Sequence, residues 1–234
     1  MWLAALAAFA GAAVQSASGL GFALVLTPAL FAAMDDPAEA VTAVLLLGAA
    51  LCVLVLVESR RVATHGLARL LVPAVPGLGV GVLLLAALSK ESLQVGVGVA
   101  VVAAAAWQLG HRAAVRLPAV VAGFLSGALT TSISVNGPPL ALWLESERVP
   151  PGRFRTTLAA AFLILDVAGA GLIVSREGAD AVDLGALGPL LACVFAGYAL
   201  GAVGFRRLDA ERFSRVVLAV VVCTGVASIV AGLI

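Results

Sequence analysis

The sequence predicts an all-α polytopic membrane protein made of two inverted repeats, each a helical hairpin (re-entrant or short-spanning) plus three transmembrane helices. Three observations predict it. Apolar runs reach membrane-spanning length, the chain matches itself at an offset near 116 residues, and the basic residues segregate when each half holds three full crossings.

The first observation rests on composition. Of 234 residues, 62% are hydrophobic and 12% are charged, with mean hydropathy +1.15. A soluble domain carries roughly 25% charged residues, so this chain could not cover itself with polar surface. Apolar runs fall at 40–57, 70–88, 92–110, 156–174, 184–205 and 216–234. At about 1.5 Å per helical residue, each such run crosses a hydrocarbon core of roughly 30 Å. The net charge of +1 provides no field for nucleic acid, and no polybasic tail addresses lipid headgroups. Cys52, Cys193 and Cys223 each fall inside an expected span, which argues against a disulfide framework or a metal cluster. No cofactor is expected. Residues 1–18 have the hydropathy of a signal peptide, but no Lys or Arg precedes the apolar stretch, and a signal peptide needs a basic start.

The second observation is the duplication. Gly11, Ser18, Gly21 and Leu24 meet Gly127, Ser134, Gly137 and Leu140 at an offset of 116. Pro37 and Thr42 meet Pro151 and Thr156 at 114, and Gly77, Gly81, Leu88 and Glu91 meet Gly197, Gly201, Leu208 and Glu211 at 120. The unbroken order of matches divides one membrane domain into repeats 1–112 and 113–234. Each repeat opens on an interrupted apolar stretch. Residues 2–34 are broken at Gln15–Gly21 and Pro28, and 118–145 at Thr130–Ser132 through Pro139. The arms on either side, about 7 to 14 residues, are too short to span.

The third observation orients these stretches. If both return to their starting side, twelve Arg residues (60, 61, 69, 112, 116, 148, 153, 155, 206, 207, 212 and 215) share one face and only Lys90 and Arg176 take the other. If each crosses once, the split is 6 to 8. Cytoplasmic loops concentrate Lys and Arg, so the hairpin arrangement is expected, with two short crossings per hairpin giving the same count. Three full spans per repeat invert the second repeat against the first. Both termini are expected outside the cytoplasm, in a multi-pass protein of the cell (inner) membrane.

The hairpin tips carry the expected chemistry. Irregular backbone at membrane depth requires burial in protein or a water-lined cavity. Each tip leads into a helix start whose free N–H groups carry the positive end of the helix dipole. Gly19 and Gly21 in tip one, and Gly137 in tip two, allow close approach to the backbone. Pro138 suits a first helical turn. Gln15, Ser16, Ser18, Thr130, Thr131, Ser132, Ser134 and Asn136 add polar side chains. Two helix N-termini with hydroxyls and amides, and no Lys or Arg, make an anion site without a fixed cation.

Gly19-Leu20-Gly21-Phe22 followed by Thr27-Pro28-Ala29-Leu30, together with Asn136-Gly137-Pro138-Pro139-Leu140, resembles the paired signatures of the sulfite exporter TauE/SafE family. The duplicated layout resembles that family over nearly the whole chain. Phe22 stands where a further Gly is common in the first signature. The resemblance implies transport of sulfite, organosulfonates or related small sulfur-containing anions.

Asp166 lies mid-span in 156–174. An acid at mid-bilayer costs roughly 2.5–3.5 kcal/mol on insertion scales, so it should face a polar interior. It serves there either as a proton-coupling group or as a structural acid bonded near a tip. Its repeat counterpart is Cys52. Tyr198 needs a partner for its hydroxyl and is a candidate to line the cavity. The Gly77/Gly81 and Gly197/Gly201 pairs have the small-xxx-small spacing of close helix packing. Trp2, Trp107 and Trp143 fall near span ends, where interfacial anchoring is expected. His65 and His111 fall in loops.

The expected function is secondary transport of a small anion by alternating access around a midplane site formed by the two tips. An anion channel, or an assembly or partner protein without transport, are the alternatives. No nucleotide-binding loop is present, and no nucleophile, base or metal constellation supports an enzyme. The expected partners are a small anionic substrate and the lipid bilayer, not nucleic acid, with a second copy of the chain as a candidate.

Overall fold

The computed structural model describes residues 1–59, 66–110, 117–204, 222–223, 225–226 and 228–233. The described residues are helical, joined by short turns. Their order is α1 (Trp2–Ser18), α2 (Phe22–Ala33), α3 (Pro37–Ser59), α4 (Leu67–Ala87), α5 (Lys90–Gly110), α6 (Ala119–Ile133), α7 (Gly137–Ser146), α8 (Pro151–Glu177), a 3₁₀ turn at Ala179–Ala181, and α9 (Leu184–Gly204). Among the described residues four helices are long and apolar enough to cross a membrane: Pro37–Ser59, Leu67–Ala87, Gly152–Glu177 and Leu184–Ala202. They contain the expected spans at 40–57 and 156–174 and most of those at 70–88 and 184–205. The 92–110 span is helix α5. About half of the 216–234 span lies outside the described residues, as do Arg60, Arg61, His65, His111, Arg112, Arg116, Arg206, Arg207, Leu208, Glu211, Arg212 and Arg215.

Both interrupted stretches fold as helical pairs, α1–α2 and α6–α7. Their first arms are longer than expected, 17 residues in α1 and 15 in α6. The polar residues assigned to the breaks continue the helices, and their hydroxyls are satisfied there by preceding carbonyls. Ser16 Oγ donates to Ala13 O at 2.8 Å, Ser18 Oγ to Val14 O at 3.0 Å, Thr130 Oγ1 to Ser126 O at 2.6 Å and Ser132 Oγ to Ala128 O at 2.7 Å. The chain turns one step later. Gly19 ends α1 in the left-handed region at φ 79°, and Gly21 at φ 122° opens α2, a conformation side chains rarely tolerate. Ser134 ends α6 at φ 57°, and Val135 N–H closes the end on Leu129 O at 3.2 Å.

Packing pairs helices from opposite halves. α4 lies along α6, α9 along α1, and α3 against α8. Glycines make the first two contacts close. A Cβ on Gly77 or Gly81 would strike the carbonyls of Phe124 or Ala128, and one on Gly123 or Gly127 those of Leu70 or Ala74. A Cβ on Gly197 would strike Phe9 O, and one on Gly201 would strike Ser16 Oγ. The small-xxx-small pairs are therefore packing motifs. The most buried spans are α3 and α8, which places them at the centre. Apolar residues on the outer helices, such as Val72, Leu83, Val120 and Leu184, are exposed, as a lipid-facing surface requires. Trp143 departs from the interfacial expectation. It is buried, and its ring fills the space beside Gly66.

Candidate functional site

The two hairpin tips meet. Leu20 of the first tip lies against Gly137 of the second, where its Cδ2 fills the space of a Cβ. Between them is a cavity lined from tip one by Gln15 and Leu20 to Leu24, and from tip two by Ser134 to Gly137. Val44, Leu45 and Gly48 of α3, with Phe162 and Asp166 of α8, complete the wall. The central helix pair thus closes the space between the tips. Its volume is about 30 Å³, on the order of two water molecules.

Tip two presents donors. Ser134, Asn136 and Gly137 are buried. The N–H groups of Asn136 and Gly137 precede any helical carbonyl that could take them, and Pro138 and Pro139 have none. Ser134 Oγ is buried, 1% of the residue being exposed, and has no hydrogen-bond partner among the described residues. The Asn136 carbonyl accepts from Ser126 Oγ at 3.1 Å, which anchors the tip to α6. The Asn136 side chain donates from Nδ2 to Asp166 Oδ1 at 2.9 Å.

Tip one presents more backbone. The first helical bond of α2 is Val25 N–H to Gly21 O, leaving the N–H groups of Gly21, Phe22, Ala23 and Leu24 ahead of it. Gln15 Oε1 accepts Phe22 N–H at 3.2 Å. The other end of the same amide, Nε2, contacts Cys52 Sγ at 3.8 Å. Gly21, Ala23 and Leu24 thus face the cavity with donors to spare. Among the described residues no Lys, Arg or His lines the cavity.

Of the residues expected at the site, the structure brings Gln15, Gly21, Ser134, Asn136, Gly137 and Asp166 to one cavity. It places the others nearby but off its wall. Ser16 packs on Gly201, and Thr131 Oγ1 donates to Leu78 O at 2.7 Å. Thr130 and Ser132 are bonded to their own helix. Ser18 is exposed, and Gly19 rests on Arg155. Pro138 is half-buried in the first turn of α7. Tyr198 also lies off the cavity. Its hydroxyl donates to Glu58 Oε2, which also accepts from Arg155 NH2 at 3.3 Å. This carboxylate ties α3 to α8 and α9.

The sequence reading missed Gly48 and Phe162. Asp166 Oδ2 is 2.8 Å from where a Cβ on Gly48 would sit, so the carboxyl needs this glycine. A lone glycine in the middle of an apolar span was the available signal, and Phe162 is its counterpart at the offset of 114.

A family model described as sulfite exporter TauE/SafE matches residues 3–228. No curated protein and no solved structure matches the chain. With the match running through both tips, both central helices and nearly the whole sequence, this protein belongs to the sulfite exporter TauE/SafE family of membrane transporters.

Proposed function

We propose that the protein is a secondary carrier of a small anion, of the sulfite, organosulfonate or related sulfur-oxyanion class, which binds in the cavity between the hairpin tips. The observation that carries this reading is the pairing of free donors there. Two helix N-termini open on one space between the tips, beside a buried hydroxyl that has no partner among the described residues. Each terminus is worth about half a positive charge, so the pair balances about one negative charge with no basic side chain.

We further propose alternating access between inverted repeats 1–112 and 113–234. The exchanged contacts support it. The first arm of each hairpin lies on the second long span of the other half, α1 on α9 and α6 on α4, while α3 and α8 meet at the centre. A two-fold relation between the halves would produce this pattern. In this reading both termini lie outside the cytoplasm, and the reaction involves no covalent chemistry.

The test is uptake by the purified protein in proteoliposomes, with sulfite, thiosulfate, sulfoacetate, sulfate and acetate compared. A carrier gives saturable flux, and trans-loaded anion accelerates it. Flux that rises without saturation supports a channel instead. No flux with any of the five contradicts the proposal.

A further inference from the structure

The same cavity holds an acid. Asp166, from the middle of α8, is 6% exposed and lines the cavity beside Asn136. The groups facing it from each packed element are few. Hairpin one contributes the Gln15 amide, α3 contributes Gly48 and the Cys52 thiol, and tip two contributes Asn136. Among the described residues no basic side chain lines the cavity, so an ionised Asp166 and a bound anion would draw on the same two helix N-termini. Those termini together balance about one negative charge. With an anion present, an ionised Asp166 adds a further uncompensated negative charge, the more so beside a divalent anion such as thiosulfate, and direct repulsion at low dielectric opposes it.

We propose that Asp166 is a proton site, ionised when the cavity is empty and protonated when an anion occupies it, so that one proton moves with each anion. This deepens the carrier reading above and rests on it. The carboxylate gains its proton from water on the side from which the anion enters and loses it to water on the side where the anion leaves. No other bond is made or broken. Asn136 reads the change. Its Nδ2 donates to the carboxylate at 2.9 Å, and protonation weakens that charge-assisted bond, freeing an amide donor one residue from Gly137. The latch belongs to one hairpin alone. The counterpart of Asp166 in the first repeat is Cys52, which Gln15 contacts, and a thiol does not supply a carboxylate's charge.

The experiment uses the wild-type protein in weakly buffered proteoliposomes with an internal pH dye, pulsed separately with thiosulfate, sulfoacetate and sulfite. Thiosulfate stays fully ionised across the working range, so protons that move with it are the protein's own. The expected result is internal acidification of about one proton per thiosulfate, with apparent affinity weakening up to tenfold per pH unit as pH rises. In Asp166→Asn the expected result is loss of the proton signal, and a flat profile from about pH 5.5 to 8 for whatever exchange remains. The wild-type stoichiometry decides the matter even if that variant fails to fold. Thiosulfate flux without protons and with a flat wild-type profile overturns the proton site but leaves the carrier standing. No flux with any of the three anions overturns the carrier reading, and the proton site with it.

Discussion

Leu20 and Gly137, one from each hairpin tip and 117 positions apart in the chain, are in direct contact. The Leu20 methyl occupies the place where any residue but glycine at 137 would put its Cβ. Phe162 Cζ lies 3.5 Å from the same point, an ordinary van der Waals distance, so the close neighbour is Leu20 alone. A side chain at 137 must therefore push Leu20 toward the cavity or away from it.

This predicts a compensating pair. Gly137→Ala should reduce anion transport at least about tenfold while costing on the order of 1–3 kcal/mol of stability, the usual range for overpacking. Adding Leu20→Ala empties the space and should restore much of both. Transport and thermal unfolding of the single and double variants check it. Independent, additive losses would show that the two residues do not meet in the membrane.

The glycines of α4 give a prediction about packing. A Cβ on Gly81 would enter the backbone of α6, whereas Gly79 has nothing within 4 Å of its Cβ position. Gly81→Ala should lower stability by about 1–3 kcal/mol. Gly79→Ala should be neutral, or stabilising by up to about 1 kcal/mol, because alanine is the better helix former. Unfolding midpoints of the two purified variants separate them, and equal effects would contradict the helix pairing.

Much of this was legible in the sequence. Gly19, Gly21, Asn136, Gly137 and the two prolines after it marked the turns, because backbone at positive φ and a first helical turn restrict residue type. The glycine pairs at 77/81 and 197/201 marked the close crossings, because only a missing side chain lets backbones meet. Asp166 announced a polar interior through its cost in lipid. Hydroxyl direction was not legible. Ser16, Ser18, Thr130 and Ser132 look like site residues by composition, yet the Oγ atoms of Ser16, Thr130 and Ser132 bond to their own helices and that of Ser18 to its own helix and to Leu20 two residues on. A serine near a helix end has that local option whatever surrounds it. Gly48 was hidden for the opposite reason, since a glycine inside an apolar run shows its purpose only when its neighbour across the interface is known.

Tyr198 carries a further prediction. Its bond to Glu58, whose side chain is 50% exposed, serves helix association and lies away from the cavity. Tyr198→Phe should cost about 1 kcal/mol or less and leave the apparent affinity for the transported anion unchanged. A saturation curve in proteoliposomes checks this, and a several-fold change in affinity would place Tyr198 in the transport path.

The inverted arrangement has its own test. In a background without Cys52, Cys193 and Cys223, single cysteines at Asp36 and Val149 should lie on opposite sides of the membrane. An impermeant thiol reagent on intact cells should label position 36 and spare 149. Labelling of both, or of 149 alone, would contradict the proposed topology.

The most direct test of the account is substrate protection at Ser134. Its Oγ is buried, unpartnered and on the cavity wall between the tips. In the same cysteine-free background, Ser134→Cys should react with a small thiol reagent, and thiosulfate or sulfite should slow that reaction in a saturable way while sodium chloride at equal ionic strength does not. The half-protecting concentration should match the half-saturating concentration for transport. If a transported anion leaves the alkylation rate at position 134 unchanged, the anion does not bind between the tips, and the site described here is not the site of transport.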